Sequence, residues 1–263
     1  MRTRVITVLL VLGSATLPAL TRAQQTVPAD SGVTVPDSVT PARVLAGSDL
    51  FNGGSCVACH AVGGRGTGRR APDLSDAEWL HSPGDIQGIR LTIFWGVQKP
   101  DFRAVTPRPF EMNPEGGMHL DREQLWDVAS YVWTLSRPGT SEFVARQQRF
   151  LDLARLGFTK EALALFQRAD SASGRPATLP ERGLNALGYE LLRSGGDPDD
   201  PIAIFRLNTT LHPDSWNVWD SLGEAQAAAG KTREAIESYQ RSLRLNPQND
   251  NARKALDSLR HGG

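Results

Sequence analysis

Cys56-Val57-Ala58-Cys59-His60 holds the only two cysteines of the 263-residue chain and sets a histidine directly after the second. Two thiols and an imidazole within five residues can do three kinds of chemistry. They can help ligate zinc, cycle between dithiol and disulfide, or hold a haem by two thioethers with the imidazole on its iron. A zinc site needs about four ligands, and His81, His119, His212 and His261 form no ligand pair at helical or short-turn spacing. A dithiol oxidoreductase sets C-x-x-C at the start of a helix within a βαβ unit. Here the approach is LFNGGS and the exit is AVGGRGTGRR, and neither reads as an apolar strand. A structural disulfide across two intervening residues would close almost no loop and stabilise little. The C-x-x-C-H spacing is the attachment pattern of a c-type haem: Cys56 and Cys59 reach its two vinyl groups, and His60 turns its imidazole to the iron.

A sixth iron ligand is then required, and a methionine thioether suits an electron carrier because it raises the potential. Beyond Met1 the chain offers only Met112 and Met118. Both lie just before a predicted helix, with Asp121 as its N-cap and Leu125, Val128, Ala129, Val132 and Leu135 on one face. A matching apolar face, Val44, Gly47, Leu50 and Phe51, precedes the cysteines. Gly47 has no side chain to hold that first helix away from the last one, which predicts a close crossing at Tyr131 or its neighbours.

With these elements in place, residues 42–138 resemble a single-haem, class I cytochrome c of the small-carrier and oxidase-subunit type. AGSDLFNGGSCVACH is similar to that family's opening helix and haem motif, and LWDVASYVWTLS to its closing helix. The resemblance implies that Pro72, in APDL, lends its carbonyl to the ligand histidine. It also places Met112 of MNPEGGMHL on the distal iron position, with Asn113 where the family commonly has proline and Met118 as the alternative ligand. The implied cofactor is one covalently attached haem c with its iron between His60 and methionine.

The second half has a different texture. Asn246-Pro247 echoes His212-Pro213 at a spacing of 34, and Tyr239 echoes Phe205, Ile236 echoes Ile202 and Gly230 echoes Gly196 at the same interval. Leu222-Gly223, Gly230, Ala235, Tyr239 and Pro247 follow in the order of a tetratricopeptide repeat, which this stretch resembles. A second copy lies one unit earlier, and a degenerate third is marked by Gly157, Ala162, Phe166 and Ala169. The expected fold is all-α: a small helical cytochrome c domain and a C-terminal helix-pair (tetratricopeptide) repeat stack at 142–263. Pro138-Gly139-Thr140 reads as a short hinge between them, which predicts that residues 142–263 can be removed without disturbing the haem half.

At the N-terminus, Arg2 and Arg4, the apolar run Val5 to Leu20 and Thr21-Arg22-Ala23 have the order of a cleaved secretory signal peptide over residues 1–23. An uncleaved membrane anchor is the less favoured reading, because the run is shorter than a span requires. Residues 24–41 read as an extended, flexible linker. A periplasmic or otherwise exported location follows, and haem attachment after export agrees with it. Charge is balanced, 29 basic against 29 acidic residues, which argues against nucleic acid as a partner.

The sequence therefore predicts an exported single-electron carrier, not an enzyme, whose repeats dock it to a redox protein or a membrane respiratory complex. The second reading is a repeat-based binding or assembly protein whose haem senses redox state or a small gas. His81 reads as a locally bonded loop residue. Trp79, Trp95, Trp126 and Trp133 read as cover for the porphyrin, and Arg65, Arg69 and Arg70 as an exposed basic cluster able to meet propionates.

Overall fold

The computed structural model describes residues 33–67, 71–97, 111–166 and 179–261. Residues 1–23, read as a signal peptide, and residues 24–32 of the stretch read as linker, with Arg69, Arg70 and Ala169, lie outside the described residues. Among the described residues the fold is helical throughout, with one isolated β-bridge between Val97 and Met112. No helix among them is long and apolar enough to cross a membrane.

Helix α1 (Pro41–Gly53) starts where Thr40 Oγ1 accepts from the Arg43 N–H and Pro41 occupies the first turn. Helix α2 (Val57–His60) is a single turn carrying the cysteine motif. Helix α3 (Ile86–Trp95) is capped by Asp85 and turns Ile86, Ile89 and Ile93 inward. Helix α4 (Arg122–Leu135) opens with a reciprocal capping box between Asp121 and Gln124. The predicted crossing of α1 and α4 is present: a Cβ on Gly47 would stand 1.9 Å from the Asp127 carbonyl oxygen and 2.9 Å from Tyr131 Cβ. The stretch read as linker ends earlier than expected, because Val39 is buried and the Ser38 carbonyl accepts from Ser130 Oγ.

The remaining helices pair in sequence. They are α5 (Glu142–Arg155) with α6 (Thr159–Phe166), α7 (Glu181–Ser194) with α8 (Asp199–Leu211), and α9 (Trp216–Ala228) with α10 (Thr232–Leu245). Helix α11 (Asp250–His261) closes the stack. One contact recurs from pair to pair: Gly188 of α7 lies under the Phe205 ring of α8, and Gly223 of α9 under the Tyr239 ring of α10. In the degenerate first pair, Phe150 and Phe166 meet directly, ring centroids 5.3 Å apart.

Pro138-Gly139-Thr140 forms a single tight turn, yet it is not a free hinge. One continuous apolar core runs from Val44 and Phe51 of α1 through Tyr131 and Leu135 of α4 to Val144 and Leu151 of α5 and Leu184 and Leu187 of α7. A buried polar network crosses the same boundary. Asn52 Nδ2 donates to Tyr131 Oη at 3.1 Å, Tyr131 Oη to Gln147 Oε1 at 2.6 Å, and Gln147 Nε2 to Ser48 Oγ at 2.9 Å. Burial holds the Tyr131 phenol well above its ordinary pKa, so it keeps the proton it donates. The two halves are thus packed as one unit along α5 and α7, which the hinge expectation did not foresee.

Candidate functional site

A cleft of about 1260 Å3, counting its open mouth, lies between α1, α3 and α4. Its floor is apolar, with Phe51, Leu74, Ile89, Ile93, Val128 and Val132. Cys56, Cys59, His60, Pro72 and Met112 all line it. Sequence reasoning named those five separately, and the fold brings them to one cavity.

The cysteine wall is built locally. Ser55 Oγ donates to the Gly116 carbonyl at 2.6 Å, tying the approach to the motif to the loop that follows Met112. His60 is buried at 9% exposure, and its Nδ1 lies 3.4 Å from the Pro72 carbonyl oxygen, a long contact in the direction the resemblance implies. A backbone bond from the Gly66 N–H to the His60 carbonyl, 2.7 Å, folds the following loop back onto the histidine's own backbone.

No disulfide joins Cys56 and Cys59. Burial, with Cys59 adding to it, pushes the Cys56 thiol up to about 11. A redox dithiol needs the opposite shift, toward a thiolate at neutral pH, so the site's electrostatics argue against that chemistry. In the haem-free chain, alkylation of Cys56 should still be climbing by roughly tenfold per pH unit between pH 8 and 10. A plateau already reached by pH 9 would contradict the burial. The stability linkage has the matching sign. The folded thiol binds its proton more tightly than the unfolded one, so its contribution is complete below the ordinary thiol pKa and is lost as pH climbs toward about 11.

The two methionines part company. Met112 is held by paired backbone bonds to Val97, 2.8 and 3.0 Å, and lines the cleft. Met118 packs on the end of α1, its Sδ accepting from the Ser55 N–H at 3.4 Å and filling the space over Gly54. It is not among the cleft residues.

Of the four tryptophans read as porphyrin cover, only Trp79 lines the cleft. Trp133 is buried elsewhere under Arg137, Trp126 lies under Arg90, and Trp95 is 67% exposed. The reason is the helical period, which turns each ring to whichever face its position dictates. His81, read as a loop residue, does line the cleft, together with Leu80 and Thr92, which sequence reasoning missed. Arg65 pairs with Asp152 of α5 at 2.6 Å, on the exposed face. Among the described residues no group of three histidine, cysteine or acidic side chains could hold a bare metal ion.

The cleft suits a haem on its own chemistry: a largely apolar lining, two thiols one helical turn apart, a buried imidazole and a thioether. Comparison with protein families gives matching assignments. Residues 44–136 match the cytochrome c family, and residues 216–249 match the tetratricopeptide repeat. No curated protein matches the chain. The fold, the cleft and the two family matches agree in order along the sequence, and the chain carries a cytochrome c domain followed by a tetratricopeptide repeat.

Proposed function

We propose that the protein is an exported, single-haem electron carrier and not an enzyme, whose repeat half docks it to a partner protein. The observation that carries the reading is the convergence of Cys56, Cys59, His60, Pro72 and Met112 on one apolar cleft. A haem bound there would supply a one-electron couple at its iron, with His60 and Met112 the residues that would hold it and the thioether raising its potential. Cys56 and Cys59 would hold the ring edge as thioethers. With its Nδ1–H turned to the Pro72 carbonyl, His60 would be left to offer Nε2 to the iron, and that hydrogen bond would fix the ring and its basicity. Phe51, Leu74, Ile93, Val128 and Val132 exclude water, which favours the less charged state of the couple.

The repeats supply protein interaction. Their helices are locked to one another by polar bonds such as Asn249 Nδ2 and Asn251 Nδ2 to the Asp220 carboxylate, 2.8 and 2.9 Å. A rigid docking stack raises the effective concentration of the partner without any new contact at the haem. Export through residues 1–23 agrees with covalent haem attachment outside the cytoplasm.

Visible spectra of the mature protein, oxidised and then reduced, test the reading. Sharp low-spin reduced bands and a methionine–iron charge-transfer band in the oxidised form are expected. Met112→Ala should abolish that band and Met118→Ala should keep it. The reverse pattern would move the ligand to Met118. A high-spin spectrum with ready carbon monoxide binding would favour the gas- or redox-sensing reading. The absence of haem from material made in a host with working cytochrome maturation would end both.

A further inference from the structure

Ala61, directly after His60, holds φ 58° and ψ 172°. Non-glycine residues occupy such backbone at a cost of about 1–3 kcal/mol, and only where their surroundings hold them there. The turn that follows, Val62 to Gly66, is held from two sides. From its own half, Gly66 N–H donates to the His60 carbonyl at 2.7 Å, Leu74 N–H to the Gly64 carbonyl at 2.7 Å, and Gly63 N–H to Asn52 Oδ1 at 3.1 Å. From α5, Gln148 Nε2 donates to the Gly63 carbonyl at 2.8 Å and Arg155 Nη2 to the Val62 carbonyl at 2.9 Å.

Between those two bonds lies Leu151, which occupies the space a side chain on Gly63 would need: a Cβ there would meet Leu151 Cδ1 at 2.4 Å. Gly63 is in the left-handed region at φ 72°, so both its conformation and its packing require the missing side chain. Gln148 is buried. Arg155 is itself held by Glu190 of α7, at 2.8 and 3.2 Å. The second repeat pair is therefore one ion pair away from the backbone beside the histidine.

We propose that Gln148 and Arg155, both on α5, are positioning residues for His60: they hold the strained turn behind the imidazole and so make the repeat stack part of the haem site. The proposal rests on the reading of His60 as the iron ligand. Displacement of α5, by a partner bound to the stack or by substitution, then changes the seat of the ligand without any contact to the cleft.

The test uses the full-length mature protein with Gln148→Leu and Arg155→Met, each of which removes a donor to the turn and keeps apolar bulk. Arg206→Met is the control: it breaks the exposed Arg206–Glu234 pair between α8 and α10, remote from the turn. Two quantities are read, amide hydrogen exchange at Gly66 and Leu74, and the midpoint potential. Loss of one buried hydrogen bond should speed exchange at those two amides roughly fivefold or more. The potential should move from the parent value in both variants and stay at it in the control. Parent-like exchange or a parent-like potential in the haem-loaded variants overturns the proposal. Should Gln148→Leu fail to fold, Arg155→Met decides alone. Absence of haem from the parent would strike the functional reading instead, and exchange in the haem-free chain would still decide whether α5 holds the turn.

Discussion

Gly47→Ala is expected to cost at least about 3 kcal/mol, at the upper end of what overpacking a core usually costs. The added methyl would lie 1.9 Å from the Asp127 carbonyl oxygen. That oxygen is main chain within α4 and cannot rotate away, unlike the tip of a long side chain. Tyr131 Cβ, 2.9 Å off on the same face, blocks the sideways escape. The helices must therefore separate, and with them the residues they carry into the cleft, Phe51 from α1 and Val128 and Val132 from α4. For a chain of this length the loss amounts to roughly 6–12 °C in melting temperature. Thermal unfolding followed by circular dichroism measures it, and a melt within a degree or two of the parent would show that the crossing is looser than described. The substitution should also lower haem retention, since widening the slot removes contacts from both of its faces.

That crossing was legible in the sequence because its signal is local and periodic. Val44, Gly47 and Phe51 repeat at helical spacing, and a glycine on an otherwise apolar helix face needs a reason. The cysteine motif was legible for the same kind of reason: C-x-x-C-H puts three reactive groups within a single turn, and no distant residue is needed to recognise it. The repeat plan was legible too, with Gly188 and Gly223 each beneath an aromatic ring of the partner helix.

Spacing could not separate Met112 from Met118. Five residues of loop lie between them, and only the path of that loop, pinned by Val97 at one end and Ser55 at the other, sends one to the cleft and the other to Gly54. That His81, a loop residue as read, also lines the cleft could not be seen from spacing, because a loop residue's facing is set by tertiary contacts.

The union of the two halves was not legible at all. Its polar members, Ser48, Asn52, Gln147 and Gln148, are residue types that normally face water. On helices α1 and α5 they read as solvated positions, and their burial is affordable only because each finds a buried partner: Gln147 with Ser48 and Tyr131, and Gln148 with the Gly63 carbonyl, across the boundary, and Asn52 with Tyr131 and Gly63 within its own half. Pro138-Gly139-Thr140 added a misleading cue: a tight turn joins elements that pack together as readily as it joins elements that swing apart.

Removal of residues 142–263 is accordingly expected to unfold or aggregate the haem half, where the sequence alone predicted an intact remainder. Leu151 fills the space beside Gly63, and its loss alone is comparable to a buried Leu→Ala change, about 2–5 kcal/mol. Val144, fully buried in the same core, goes with it. Tyr131 loses its acceptor on Gln147, and the His60 turn loses the bonds from Gln148 and Arg155. Water can replace those polar partners on an opened surface, but it cannot replace the apolar packing, so the hydrophobic loss decides the outcome. A domain of this size is commonly stable by only about 5–15 kcal/mol, and a loss of even 3 kcal/mol lowers the melting temperature of a roughly 100-residue remainder by about 12 °C or more. Melting curves of residues 33–141 beside the full chain measure the difference. A remainder that melts cooperatively at the parent temperature would restore the hinge and remove α5 from the haem site. A cut placed after α8 instead, at residue 212, keeps α5 and α7 against the cytochrome core. It should leave the haem half folded while deleting the repeat at 216–249, which makes it the truncation that separates docking from stability.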